Sequence, residues 1–296
     1  MLPGRFPSPA RSMRIVPLTP AIGAELHGLN IGSMNASDFP AVRSAWLRHK
    51  VLFLPGQSLD LEGLERFSRR FGELVQLPYI RPVEGHPEVI RVLKEAHETD
   101  MGVFGGEWHS DFSFLPAPPS ASILYSVETP PSGGDTLWVD MSLAWKRLPE
   151  SDRRLLAGAT AVHTGKPYGV SHAPEESTRF KGSIVMERDN PEADRETRHP
   201  AVCRHPETGE QMLFVNPTYT TRIEGPDGIV GTRFLEKLYA HCVRPEFACR
   251  WRWQPGVVAI WDNRNTMHYA VNDYDGQRRE MLRTAIRGEP PVAVPA

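Results

Sequence analysis

Short β-forming runs separated by turns fill the chain from Val89 almost to its C-terminal end. The chain also holds 28 prolines and 24 glycines, which interrupt it too often for long helices in this part. Short strands joined by frequent turns are typical of β-sandwiches and jelly rolls. The sequence therefore predicts a mainly β fold. The predicted strands are Val89 to Leu93, Ser122 to Glu128, Thr136 to Met141, Cys249 to Gln254 and Val257 to Trp261.

Helical patterns flank these strands. After short strands between Arg14 and Ile31, a helix is predicted from Phe39 to His49, and it precedes the apolar run Val51 to Leu54. A second helix is predicted because apolar residues spaced by three and four lie on one helical face. These residues are Leu61, Leu64, Phe67, Phe71 and Leu74. A third predicted helix, Thr232 to Cys242, interrupts the later strands.

The chain is predicted to form one domain over residues 14–296, because no linker divides it. Residues 1–13 are rich in proline and arginine and are predicted to be a disordered N-terminal extension, with Met13 as an alternative translation start. Residues 165–200 are polar and lack periodicity, and long loops inside compact domains are usually functional or disordered. We predict that they form a lid over the functional site; a surface insertion without a role is the alternative.

Composition excludes several classes of protein. The 34 basic residues face 36 acidic ones, so the net charge of -2 speaks against a nucleic-acid partner. No apolar stretch approaches the ~18 residues of a membrane span, and the N-terminal end lacks the apolar centre of a signal peptide. The three cysteines form no CxxC pair and fit buried thiols in a reducing compartment. We expect a cytoplasmic protein without membrane or nucleic-acid partners.

A His-x-Asp pattern at His109 and Asp111 is the first candidate for chemistry. On an extended strand, residues two apart point to the same side, so the imidazole and the carboxylate can bind one ion. The pattern alone is weak, because His86 with Glu88 and His205 with Glu207 repeat it. Those two pairs have a proline between them, which marks a turn more than a central strand. The sequence thus favours His109 and Asp111.

His268 is the candidate for a second imidazole, at the far end of a β-forming run. Two imidazoles and one carboxylate form the facial triad of non-haem iron oxygenases. Downstream, Arg279 and Arg283 lie in an apolar stretch, and buried guanidinium groups favour carboxylates. They indicate an anionic molecule beside the metal; ordinary salt-bridged arginines are the alternative.

Several segments resemble the taurine dioxygenase/2,4-dichlorophenoxyacetate dioxygenase family of Fe(II)/2-oxoglutarate-dependent dioxygenases. They are EWHSDFSFLPAPPSASIL, PPSGGDTLW, FVNPTYTTRIEG, PEFACRWRWQPGVVAIWDNRNTMHYAVNDY and QRREMLRTAIRGE. The resemblance extends from about Ile15 to Pro290. It implies a double-stranded β-helix, or jelly roll, core with flanking helices.

The resemblance also implies roles for individual residues. His109, Asp111 and His268 correspond to the iron ligands. Thr136 and Arg279 correspond to the residues that bind the distal carboxylate of 2-oxoglutarate. The implied enzyme uses Fe(II), 2-oxoglutarate and O2, forms succinate and CO2, and is an oxidoreductase of the EC 1.14.11 type. The family is commonly oligomeric, so we expect a homo-oligomer.

The substrate pocket departs from that of taurine dioxygenase. Arg283 corresponds to an arginine that faces the anionic group of the substrate. Leu77, Ile80 and Gly105 stand where taurine dioxygenase has a histidine, a tyrosine and an asparagine, and Tyr219 stands where it has a phenylalanine. We therefore expect a larger or more apolar organic anion. The resemblance to enzymes that cleave aryloxyalkanoates further implies that the anion is hydroxylated beside a heteroatom, so that the product fragments.

The sequence leaves alternatives for both the substrate and the class of protein. Residues 194–200 and 222–225 resemble the branch that cleaves aryloxyalkanoates, while alkyl sulfates and sulfonates compete as substrates. A catalytically inactive jelly-roll protein that binds 2-oxoglutarate or another ligand, and a zinc hydrolase, are the alternative classes. The related halogenases have a small residue where this chain has Asp111, so halogenation is not expected.

Overall fold

Two layers of β-sheet, covered by helices on their outer sides, make up the computed structural model, which describes residues 13–99, 102–170, 182–226 and 228–294. The helices are α1 (Phe39–His49), α2 (Leu61–Ser68), α3 (Met141–Arg147), α4 (Glu150–Leu156) and α5 (Thr232–Cys242). The strands are β1 (Arg14–Pro17), β2 (Ala24–His27), β3 (Val51–Leu54), β4 (Pro82–Val83), β5 (His86–Lys94), β6 (Ala121–Glu128), β7 (Thr136–Asp140), β8 (Thr160–His163), β9 (Thr197–Pro200), β10 (Val202–Arg204), β11 (Gln211–Leu213), β12 (Thr220–Gly225), β13 (Gly228–Val230), β14 (Ala248–Trp251), β15 (Val258–Asp262), β16 (Thr266–Ala270), β17 (Arg279–Ile286) and β18 (Val292–Ala293).

The first layer is an eight-stranded sheet in the order β1-β2-β3-β15-β6-β17-β5-β4. Its central strand β15 is buried on both faces. Val258 and Ile260 pack into the core beneath α1 and α2, while Ala259 and Trp261 face the core between the two layers. A strand covered on both sides shows a continuous apolar run instead of alternation. This burial explains why the run from Val257 to Trp261 is a clear strand signal.

The second layer contains a sheet of order β14-β7-β16 and a sheet of order β13-β12-β8-β9. Trp138 on β7 packs against Phe53 on β3, with ring centroids 5.3 Å apart, and so joins the layers. On the outer side, Val139 and Met267 pack in one core with α3 and α5. The predicted mainly β fold with flanking helices is confirmed.

One helix and one strand end earlier than predicted. Helix α2 ends at Ser68, although Phe71 and Leu74 remain buried in the core that it covers. Gly72 lies beyond the helix end, has φ +155° and lies so close to β17 that a Cβ would be 2.7 Å from Ile286 Cγ2, so the segment that carries Phe71 and Leu74 is not helical. The predicted strand Thr136 to Met141 ends at Asp140, whose carboxylate accepts hydrogen bonds from the first amides of α3 and caps that helix.

The predicted lid is only partly described. Residues 171–181 lie outside the described residues, as do residues 1–12 of the predicted N-terminal extension. Thr197–Pro200 form β9, which pairs with β8, so the end of the predicted loop belongs to a sheet. Among the described residues, no helix combines the length and the apolar character that a membrane crossing requires.

Candidate active site

Three buried side chains with metal-binding atoms meet between the sheet layers. His109 and His268 form a β-bridge, with amide-to-carbonyl distances of 3.1 and 2.8 Å, and β16 carries His268. Asp111 follows two residues after His109, as the His-x-Asp pattern predicts. One ligand atom from each of the three lies within 4.8 Å of the others. Sequence reasoning therefore identified a real cluster.

The His109 ring is oriented by a short hydrogen bond. Its Nδ1 lies 2.7 Å from the carbonyl oxygen of Glu107, so Nδ1 donates to that oxygen and Nε2 is the nitrogen that can bind a metal. Gly105 packs against the same ring. It has φ +79°, and a Cβ there would be 3.2 Å from His109 Cε1. Glycine at this position thus permits a close approach that any side chain would disturb.

Packing orients the His268 ring. Its Nδ1 has no hydrogen-bond partner among the described residues, and the ring lies between Trp138 and Trp261, at centroid distances of 6.5 and 4.8 Å. Burial and the neighbouring His109 hold the pKa of His268 well below its usual value. The imidazole is therefore neutral, as a metal ligand must be.

Asp111 is held from several directions. Its backbone amide donates to the Asn263 side chain at 2.6 Å, and the Asn263 amide group donates back to the Asp111 carbonyl at 2.9 Å. Its Oδ2 accepts from Ser122 and pairs with Arg283, whereas its Oδ1 lies 3.4 Å from His109 Nε2. Burial alone would raise the pKa of Asp111, but Arg283 and the imidazoles hold it well below its usual value. The carboxylate is thus a charged ligand.

Arg279 is a buried guanidinium without a carboxylate partner. It is 5% exposed, it forms no ion pair with any residue that the structure describes, and its Nε has no hydrogen-bond partner there. The guanidinium lies 5.9 Å from the centre of the Trp253 ring, and Gly134 leaves room for it, since a Cβ there would be 3.2 Å from Arg279 Cδ. Burial lowers the pKa of Arg279, whereas the nearby Tyr274 and Asp135 favour its charge. A buried guanidinium of this kind is suited to bind an anion.

Thr136 lies in the same region, at the first residue of β7. It is buried, and its Oγ1 accepts a 2.9 Å hydrogen bond from Trp253 Nε1. Trp253 thus contacts both Thr136 and Arg279. The structure brings the two residues predicted to bind 2-oxoglutarate around one indole ring.

The predicted substrate residues other than Arg283 lie in one apolar cluster. Leu77, Ile80 and Tyr219 are buried together with Phe114 and Tyr168. The Tyr219 ring is 6.3 Å from His109 and 5.0 Å from Phe114. The cluster therefore forms an apolar wall beside the histidines and the carboxylate.

Sequence reasoning missed Phe114 and Tyr168 in this wall. Phe114 follows the His-x-Asp pattern on the same segment, and that proximity could have indicated it. Tyr168 lies in a short 3₁₀ helix, Lys166–Tyr168, inside the predicted lid, and its ring stacks on Phe112 and Tyr79. Burial raises the pKa of Tyr168 to about 12, so the phenol stays neutral.

The two competing His-x-acid patterns have structural roles. His86 contacts Glu65, with Nδ1 3.1 Å from Oε1. His205 Nδ1 accepts hydrogen bonds from two backbone amides of its own turn, while Nε2 lies 2.9 Å from Asp262 Oδ2. Both nitrogens of His205 are thus occupied.

All three cysteines are buried and free, as predicted.

The chain matches the family model described as "Taurine catabolism dioxygenase TauD, TfdA family" over residues 14–285. It is 36% identical over 294 residues to an "Alpha-ketoglutarate-dependent sulfate ester dioxygenase" of Pseudomonas putida, covering 96% of this chain and 93% of that protein. It is 34% identical to an "Alkylsulfatase" of Acinetobacter baylyi, covering 95% of this chain and 87% of that protein. A crystal structure of a taurine dioxygenase from Burkholderia xenovorans superposes with a TM-score of 0.77 at 35% identity, covering 95% of this chain and 93% of that chain.

These relationships confirm the predicted jelly-roll fold and the predicted enzyme class, an oxidoreductase of the dioxygenase type. Fe(II), 2-oxoglutarate and O2 are the metal and the cosubstrates of this class, and the buried cluster of two histidines and one aspartate fits such a metal. The chain belongs to the taurine catabolism dioxygenase TauD, TfdA family.

Proposed function

We propose that this protein hydroxylates a small organic anion, a primary alkyl sulfate, at the carbon that carries the ester oxygen. The observation that supports this most directly is the placement of two buried arginines and an apolar wall around the triad of His109, Asp111 and His268. One arginine serves the cosubstrate and the other serves the anionic group of the substrate.

His109, Asp111 and His268 would hold Fe(II). The Nε2 atom of His109, the neutral His268 and the charged Asp111 match the 2-His-1-carboxylate donor set, which leaves positions open for cosubstrate and oxygen. When bound, the metal with 2-oxoglutarate and O2 supplies the power to oxidise a C–H bond, and 2-oxoglutarate becomes succinate and CO2.

Arg279 and Thr136 would bind the distal carboxylate of 2-oxoglutarate. The planar guanidinium matches a carboxylate bidentately, and Arg279 has no carboxylate of the described chain to satisfy it. The Thr136 hydroxyl accepts from Trp253, so its proton is free to be donated to the same anion.

Arg283 and the apolar wall would bind the alkyl sulfate. Arg283 uses Nη2 for Asp111 and Ser122, and its Nε has no partner in the described chain. The unpaired side of this buried guanidinium is available to a sulfate group. Leu77 and Ile80, buried beside Tyr219, offer apolar contacts for an alkyl chain. A small zwitterion such as taurine would find few polar contacts there.

The proposed reaction balances without a further reactant. Hydroxylation of R–CH2–O–SO3⁻ consumes one 2-oxoglutarate and one O2 and yields succinate, CO2 and a sulfated hemiacetal. The C–O bond to the ester oxygen then breaks, and the hydroxyl proton leaves with hydrogen sulfate. An aldehyde remains. The residues of the chain bind and orient the anion so that this carbon lies at the metal.

Succinate released from 2-oxoglutarate by the Fe(II)-loaded protein in air tests the proposal. The substrate panel is hexyl sulfate, hexanesulfonate, taurine and phenoxyacetate, with hexyltrimethylammonium as a cationic control. We expect hexyl sulfate to stimulate turnover most. Stimulation by phenoxyacetate alone would favour aryloxyalkanoates, and stimulation by the cation alone would contradict an anionic substrate. Binding of 2-oxoglutarate without turnover with any compound would favour the inactive binding protein.

The homo-oligomer, the cytoplasmic location and the lid stay predictions.

A further inference from the structure

Ser122 lies next to the metal-binding triad without contributing a metal ligand. It is on β6, where it pairs with Trp261 of β15 on one side and with Ala285 of β17 on the other. In this register, the side chains of Ser122 and Arg283 lie on the same face of the sheet, because Arg283 pairs with Leu124, two residues along β6. Ser122 is fully buried, with 0% exposure.

The Ser122 hydroxyl joins two functional groups. Its Oγ donates to Asp111 Oδ2 at 2.7 Å and accepts from Arg283 Nη2 at 3.1 Å. Arg283 Nη2 also pairs with Asp111 Oδ2. Ser122, Asp111 and Arg283 therefore form a closed triangle in which every hydrogen-bonding atom is buried.

The two oxygens of Asp111 are consequently different. Oδ2 receives both the hydroxyl and the guanidinium. Oδ1 lies 3.4 Å from His109 Nε2 and 3.6 Å from His268 Nε2, on the side where the imidazole nitrogens converge. The carboxylate thus presents one oxygen to the metal-binding atoms and keeps the other turned away.

We propose that Ser122 is a positioning residue that makes Asp111 a ligand through Oδ1 alone. A carboxylate can bind a metal through one or both oxygens. Binding through both would occupy a position that 2-oxoglutarate or O2 needs. Ser122 keeps Oδ2 saturated with hydrogen bonds and so preserves the open positions. This inference rests on the proposed assignment of His109, Asp111 and His268 as metal ligands.

Cobalt(II) is the probe for the test, because its visible absorption reports coordination number and geometry. We expect Ser122→Ala to bind Co(II) about tenfold to a hundredfold more weakly than the wild type, the usual range for loss of a hydrogen bond to a metal ligand, and to show a changed absorption band. Ser122→Cys, which is close in size and donates only weakly, should fall between the two.

Ser126→Ala is the matched control. Ser126 is buried on the same strand, and its hydroxyl contacts the backbone carbonyls of Gln254 and Val257 at 2.6 and 3.1 Å, away from the triad. This variant should lose thermal stability while it keeps the wild-type Co(II) affinity and spectrum. A purely structural role for Ser122 would give Ser122→Ala that same behaviour, which would overturn the inference.

The controls separate this inference from the proposed function. Wild-type protein that fails to bind Co(II), or that binds it as well after His109→Ala, would overturn the metal site itself. Wild-type binding that depends on His109 but is unchanged in affinity and spectrum by Ser122→Ala would overturn only the role of Ser122. Where Ser122→Ala does not fold, the affinity and spectrum of Ser122→Cys decide.

Discussion

Replacement of Arg279 by methionine should have opposite effects on the free protein and on its complex with 2-oxoglutarate. The guanidinium is buried without a carboxylate partner in the described chain, so it is costly until an anion binds. Methionine has a similar length and keeps the packing against Trp253 without the charge. The free variant should therefore be at least as stable as the wild type, with a gain of about 1 kcal/mol in the free energy of unfolding.

The complex should show the reverse. Hydrogen bonds to a charged group contribute about 1.5 to 3 kcal/mol each, so loss of the Arg279 contact should cost about 3 kcal/mol. That energy corresponds to a Kd for 2-oxoglutarate roughly a hundredfold weaker. Saturating 2-oxoglutarate at a hundred times its Kd should stabilise the wild type by about 2.7 kcal/mol and should barely stabilise the variant.

Chemical unfolding with and without 2-oxoglutarate, together with calorimetric titration of the Mn(II)-loaded protein, measures both effects. Arg278→Met is the control, because Arg278 is the preceding residue but is paired with Glu95 and Glu280 near the surface. It should lose about 1 kcal/mol or less in stability and keep its affinity for 2-oxoglutarate. A clearly destabilised Arg279→Met protein with wild-type affinity for 2-oxoglutarate would show that Arg279 supports the fold and does not bind the cosubstrate.

Three further predictions follow from the site and its surroundings. Gly105→Ala places a Cβ about 3.2 Å from His109 Cε1 at φ +79°, so metal affinity measured by titration should fall severalfold; unchanged affinity would show that the ring can move freely. Burial and His199 lower the pKa of His163 in the folded protein to about 3. Below pH 6.5 this imidazole is protonated in the unfolded chain but stays neutral in the folded protein. The free energy of unfolding therefore falls as the pH drops from 6.5 towards 3. Between pH 7 and pH 5, the free energy of unfolding measured with urea should fall by about 2 kcal/mol more for the wild type than for His163→Asn. Equal falls in the two proteins would count against a neutral His163. Cleavage of residues 165–200, the predicted lid, by a protease should slow when metal, 2-oxoglutarate and hexyl sulfate are added together, whereas an unchanged rate would speak against a lid.

Much of the fold could be predicted because its signals are local. Helices α1 and α5 begin and end where the sequence indicates, and β3 and β15 are recognisable because both faces are buried. The strand β9 was missed because its pairing with β8 is a long-range contact between polar-looking residues. Helices α3 and α4 were missed because each spans only seven residues and has little periodicity.

Some features of the site could be predicted from the sequence and others could not. The His-x-Asp pattern and the family resemblance together predicted His109, Asp111 and His268, and these residues do meet in space. The ion pair between Arg283 and Asp111 could not be predicted, because it depends on how β17 faces the loop that follows His109. The sequence analysis assigned Arg283 to a substrate anion, with an ordinary salt-bridged arginine as the alternative, and the structure shows that Arg283 does pair with the Asp111 carboxylate. Tyr168 could not be found either, since its place in the pocket depends on the path of the chain after β8.

The stoichiometry of products from hexyl sulfate tests the central claim most directly. With Fe(II), 2-oxoglutarate and O2, we expect equal amounts of succinate, hexanal and sulfate, and none of the three when O2 is withheld. Sulfate released together with hexanol, or sulfate release that continues without O2 or 2-oxoglutarate, would show simple hydrolysis of the ester. Such a result would contradict the account.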